Sequence, residues 1–118
     1  MKDFKELKVW EKSHQLTLQV YQVTAEFPQD EIYGLRSQIR RACASIPTNI
    51  AEGCGRQSDA DFGRFLSIAM GSASELEYLL FLSKDLNFIN ESDYKILNEQ
   101  LIEIKKMLGS FITKLRTS

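Results

Sequence analysis

From Tyr94 to Leu115 the apolar residues run Tyr94, Leu97, Leu101, Ile104, Leu108, Phe111, Leu115, in steps of three and four without a miss. That spacing keeps returning to one side of an α-helix, whereas in a strand it would scatter the same residues over both faces. A helix with one apolar stripe must bury it, so the chain has to supply partners.

Three further segments carry the same period. Between Phe4 and Glu26 one stripe is Leu7, Trp10, His14, Leu18, Tyr21, Ala25, and it ends before Pro28. A second set, Val9, Leu16, Val20 and Val23, lies on another face of that helix, an apolar surplus that needs a second partner. The next segment, Tyr33 to Glu52, follows Leu35, Ile39, Ala42, Ile46 and Ile50, with Gly53 expected to close it in the left-handed conformation. After a turn over 53–57, Ser58 and Asp61 make a capping pair. They open a third helix through Phe62, Phe65, Leu66, Ala69, Ala73, Leu76, Leu80 and Ser83. There Tyr78, Leu79, Phe81 and Leu82 surround the helix with apolar surface, the same surplus again. Asn90 or Ser92 caps the fourth.

Four long helices with short connections predict an all-α fold, an antiparallel up-down-up-down four-helix bundle forming one domain over 1–118. At 118 residues a single core suffices.

Pro47 falls inside the second helix, where proline removes a backbone donor and clashes with the carbonyl four residues back. Ala42, Cys43, Ala44 and Ser45 beside it are small, as are Ala69, Gly71, Ser72, Ala73 and Ser74 in the third helix. Small residues let backbones approach, so the second and third helices are expected to meet there, with the second kinked at Pro47. A break into two shorter helices is the competing outcome, because the residue before a proline disfavours the helical region. Asn49 is expected to bond backbone freed by Pro47.

Composition excludes several classes. The 43% hydrophobic and 26% charged content, with two prolines and six glycines, leaves no low-complexity tract. The opening MKDFKELKVW lacks the continuous apolar region of a signal peptide, and the run Tyr78 to Leu82 is too short to span a bilayer, so a cytoplasmic protein with no membrane association is expected. Cys43 and Cys54 on one helix would stand about 16 Å apart, beyond disulfide reach. Glu11 and His14 have the spacing of a di-iron bundle ligand pair, but there is no second histidine to complete such a site. No nucleophile motif points to His14 either, so a protein that is not an enzyme and takes no cofactor is expected.

The net charge of −1 argues against a strongly basic nucleic-acid-coating domain, yet the charge is uneven. Residues 32–57 hold Arg36, Arg40, Arg41 and Arg56 against Glu52, a net +3, while residues 72–104 hold seven acids against two lysines, a net −5. Arg36 and Arg40 share a helix face, with Arg41 adjacent, and such a row suits a phosphate backbone. The competing role is ion pairing with Glu52, Glu75 or Glu77. Gly53 to Arg56 before a capped helix has the makings of a phosphate nest, against the plainer reading of a helix end and a turn.

Taken together, YGLRSQIRRACASIPTNIAEGCGR, FLSIAMGSASELE and LKVWEKSHQLTLQVYQVTAEFP resemble the small bacterial four-helix-bundle proteins encoded in intervening sequences of large-subunit ribosomal RNA genes. The likeness covers nearly the whole chain. The shared pattern falls on Gln38 to Ala42, Ser45 to Pro47, Asn49 to Gly53 and Gly55 to Arg56. Pro47, Asn49, Glu52 and Gly53 are thereby structural motif positions. The resemblance implies a homopentameric ring, and kinship with accessory proteins of diversity-generating retroelements, whose pentamers bind nucleic acid and a reverse transcriptase. The expected partners are therefore further copies of the chain, RNA or DNA, and a partner protein.

Overall fold

A computed structural model of the chain describes residues 2–117. A 3-10 turn, Phe4–Glu6, leads into α1, Lys8–Thr24; a second, Gln29–Glu31, precedes α2, Leu35–Cys54; α3, Asp59–Asp85, and α4, Glu91–Thr117, follow. Among the described residues there is no strand.

Local chemistry sets the ends. Ser58 Oγ accepts from the Asp61 amide at 3.1 Å and starts α3. Asn90, and not Ser92, starts α4: its Oδ1 accepts from the Asp93 amide at 2.7 Å, and its Nδ2 donates back to the Asp93 carboxylate at 3.3 Å. α3 closes in a Schellman motif, with the Phe88 amide on the Ser83 carbonyl at 2.8 Å and the Asn87 amide on that of Lys84 at 2.9 Å. Asn87 takes the left-handed position at φ 66°. α2 has no side-chain cap at Gly34; Glu31 Oε1 accepts its first amide, that of Leu35, at 2.9 Å.

Each helix packs against its chain neighbours, and α1 also packs against α4, while among the described residues the backbones of the diagonal pairs, α1 with α3 and α2 with α4, stay apart. The pairs Thr17–Cys43 and Thr24–Arg40, Ser45–Ser72 and Gly53–Phe62, Met70–Gly109 and Glu77–Lys105, Lys12–Glu103 and Gln19–Gln100 run in opposite senses. Neighbours are therefore antiparallel, in a rod of 45 × 23 × 20 Å. Its core is lined by Leu16 and Val20 of α1, Ile39, Ile46 and Ile50 of α2, Leu66, Leu76 and Leu80 of α3, and Leu101, Ile104 and Leu108 of α4, all fully buried. Each contributes about 1.5–3 kcal/mol on leaving water.

The expected stripes of α2 and α3 are the buried ones, and that of α4 is buried from Leu97 to Leu108, with Tyr94, Phe111 and Leu115 partly buried against the core. α1 is different. Its core face is Val9, Ser13, Leu16, Val20 and Thr24, while Leu18, Tyr21 and Ala25 of the larger-looking stripe point outward. Most of the set read as surplus is thus core, with Val23 only partly buried, while of the other stripe Leu7 and Trp10 still pack against the core and Leu18, Tyr21 and Ala25 do not. Ser13 and Thr24 are tolerated inside because each hydroxyl donates to its own helix, to the Trp10 carbonyl at 2.9 Å and the Val20 carbonyl at 2.7 Å.

Gly53 also has another role than expected. α2 continues past it to Cys54, and no glycine has a positive φ. What requires glycine is proximity: a Cβ there would stand 2.7 Å from Phe62 Cδ1 and 3.0 Å from Phe65 Cβ. Ser45 and Ser72 meet nearby, Oγ to Oγ, at 2.8 Å, so α2 and α3 do close along small residues. Gly71 and Ser74 belong to the outer side of α3 and take no part.

α2 passes through Pro47 unbroken, which removes the two-helix alternative. The carbonyl deprived of its helical donor is that of Cys43, and the Thr17 hydroxyl of α1 reaches it at 3.5 Å. Asn49 serves a different carbonyl: its Nδ2 donates to the Ser45 carbonyl at 2.8 Å and to Ser45 Oγ at 2.9 Å.

α3 is, by length and composition, long and apolar enough to cross a membrane. In the bundle, its buried face walls the core and takes in Leu79, with Leu82 packed against it, while Tyr78 points outward and Ile68 and Phe81 stay part-exposed on the flanks, Phe81 edge-on to Tyr94 of α4.

Candidate nucleic-acid interface

α2 fixes where its arginines go. Arg36 and Arg40 lie one turn apart near its start, Arg41 beside them, and Arg56 follows its end about 30 Å away by helical rise. One chain thus carries two arginine groups at opposite ends of the rod.

At the first end Arg40 is committed. Its Nε donates to Thr24 Oγ1 at 2.9 Å and its Nη2 to the Tyr21 carbonyl at 2.9 Å, with the guanidinium 4.4 Å from the Tyr21 ring centre. A cation on the last carbonyls of a helix is favoured by the macrodipole, so Arg40 fastens the end of α1 to α2. The glutamate partner expected for it is absent because backbone oxygen has taken the fork. Arg36, half-buried, and Arg41, exposed, make no ion pair among the described residues. Of the three expected glutamates, Glu77 holds Lys105 at 2.7 Å, and Glu52 and Glu75 form no ion pair among the described residues.

At the other end Arg56 lies over Phe65, 4.6 Å from the ring centre, and 3.7 Å from the Asp61 carboxylate. Arg64 lies against the same ring at 4.5 Å and holds the same carboxylate at 2.9 Å. Arg64 escaped the sequence reading; its signal was the i,i+3 spacing to Asp61 directly before Phe65. The nest does not form, since the Gly55 and Arg56 amides already donate to the Glu52 and Gly53 carbonyls at 3.0 Å.

The other reactive side chains are subdued. Burial pushes the Cys43 thiol up to about 11 against a weaker lowering by the Thr17 hydroxyl, and burial also raises Cys54. His14 stacks on Trp10 with ring centres 5.0 Å apart, while Glu11 is exposed.

Known proteins agree with this architecture. A crystal structure of a protein of unknown function from the S23 ribosomal protein family of Bacteroides thetaiotaomicron has a similar fold, with a TM-score of 0.80 and 33% identity. The likeness covers 88% of this chain and 97% of that one. No curated protein matches. The profile of the family described as 23S rRNA-intervening sequence protein matches residues 5–110, from the first 3-10 turn well into α4. On that match the chain belongs to the 23S rRNA-intervening sequence protein family.

Proposed function

We propose that the chain is a non-enzymatic module of the cytoplasm that assembles with copies of itself, as a homopentameric ring, and binds RNA or DNA through its arginines. The observation that carries the binding is Arg41, exposed on α2 with no carboxylate partner among the described residues, as is also true of Arg36 beside it. Guanidinium groups left without a carboxylate suit phosphate oxygens. Assembly is supported by the bare outer faces: Leu18 and Tyr21 on α1, Ile68, Tyr78 and Phe81 on α3. In this reading Pro47 also bends α2 toward the α2–α3 turn, and Arg56 completes the contact from a neighbouring copy.

The test is binding of a labelled 23S rRNA fragment across a salt series. The affinity is expected to fall steeply with salt, and Arg36→Glu, Arg41→Glu and Arg56→Glu each to lower it and flatten the slope by about one. Light scattering on the same samples should give five times the 13.6 kDa chain. A second reading, a protein scaffold without nucleic-acid binding, is favoured by Arg40, whose charge is already spent on α1. Assembly without any low-salt binding selects it.

A further inference from the structure

The loop between α1 and α2 presents Tyr33 to solvent at 96% exposure, the barest large apolar side chain described. An aromatic ring that packs on nothing buries no apolar area and gives the fold nothing in return. Its surroundings are particular. Gly34 follows, then α2 begins, and Arg36, half-buried, stands three residues on, without an ion pair among the described residues. One turn further, Arg40 is pinned over Tyr21, which is itself 41% exposed. The corner between α1 and α2 therefore joins one free ring, one half-free ring with a guanidinium over it, and two unpaired arginines, Arg36 and Arg41.

Resting on the nucleic-acid reading, we propose that this corner takes an unpaired nucleotide of a single strand, its base stacked on Tyr33 and its phosphate on Arg36. A tyrosine face accepts any base that is already unstacked, and duplex bases are not available to it. Acids lie on both edges of this end. Glu31 is occupied by the Leu35 amide, Glu26 and Asp30 are exposed before α2, and Asp85, Glu91 and Asp93 sit at the α3–α4 turn. Asp85, Glu91 and Asp93 turn a polyanion away from the α3–α4 side, whereas Glu26 and Asp30 in the α1–α2 loop offset Arg36 and Arg41, so the bare ring and not net charge selects the strand.

The experiment compares a labelled 12-nucleotide single strand of uridines with a 12-base-pair RNA duplex at low salt, by fluorescence anisotropy. The wild type should prefer the single strand, and Tyr33→Ala should weaken that binding about 5- to 100-fold, the loss of one stacked base. Tyr33→Phe should restore it, and duplex binding should be unmoved by either change. Because Tyr33 contacts little, the variants should fold as the wild type does. An unchanged affinity in Tyr33→Ala, or an equal loss in Tyr33→Phe, overturns the stacking role. So does a change of oligomeric mass in Tyr33→Ala, which would assign the ring to a contact between copies. Salt-sensitive binding with duplex preferred sinks this inference and leaves the broader function standing, whereas binding of neither probe removes both.

Discussion

Between α2 and α3 the side chains at the contact are small or absent: Gly53 faces Phe62 where no Cβ fits, and Ser45 and Ser72 touch at 2.8 Å. Between α1 and α4 the contact is made by long polar groups, Gln19 with Gln100 at 2.9 Å and Lys12 with Glu103 at 2.9 Å. Beside them runs an open groove of about 260 Å³ lined by Glu11, Gln15 and Ile104. The two seams close one bundle by different physics. Where backbones approach closely, dispersion is gained and any added atom collides; where long side chains bridge, volume is forgiving and each polar pair is worth little.

The sharpest way to break that contrast is to add volume at Gly53. Gly53→Val puts a branched Cβ within 2.7 Å of a buried phenylalanine ring and 3.0 Å of Phe65 Cβ, which lies too near the α3 backbone to move aside. A loss of about 3 kcal/mol in urea unfolding is expected, at the upper end of overpacking costs. Gly53→Ala should lose less, about 1–2 kcal/mol, because alanine regains about 1 kcal/mol of helix propensity. A neutral valine would show that α2 and α3 are free to separate there, and the contrast between seams would be gone.

Next in size is the hydroxyl pair. Ser72→Ala removes the partner of Ser45 Oγ, which keeps its contact with Asn49 at 2.9 Å. Since one of two hydrogen bonds remains, the cost should be about 1 kcal/mol, read as a shift of the urea midpoint at constant slope. A change of slope would mean that the seam had opened and not merely lost a bond.

The stripes of α2, α3 and α4, the Ser58 cap and the α2–α3 approach were legible because period and residue size carry that information directly. α1 misled because Trp10, Leu18 and Tyr21 outweigh Ser13 and Thr24 in bulk, and only the structure shows two hydroxyls satisfied inside by their own helix. Gly53 was readable as glycine but not as a close approach, since the ring that forbids a side chain lies nine residues on, in another helix. The arginines were legible as a group, but their division was not. Arg40 is held by a carbonyl oxygen, and every residue has one, so no side-chain pattern announces it. Tyr33 was legible only as the opening of the second helix, which in fact begins at Leu35; that its ring is bare is a property of packing and not of spacing.

The smallest expected effect lies on the slack seam. Lys12 and Glu103 form a short pair, but their side chains are 37% and 54% exposed, so water competes for both. A double-mutant cycle with Lys12→Ala and Glu103→Ala should give a coupling of about 0.5 kcal/mol or less in dilute protein, fading at 1 M salt as the Debye length shrinks to about 3 Å. Repeating the cycle at higher protein concentration tests the proposed self-assembly at this seam. If a neighbouring copy covers the groove beside this pair, the charges lose water, the coupling rises and its salt dependence weakens. If the coupling stays small and screened at every concentration, no neighbouring copy covers the α1–α4 seam, and the proposed assembly would have to use another face, such as the exposed Leu18 and Tyr21 of α1 or Tyr78 of α3.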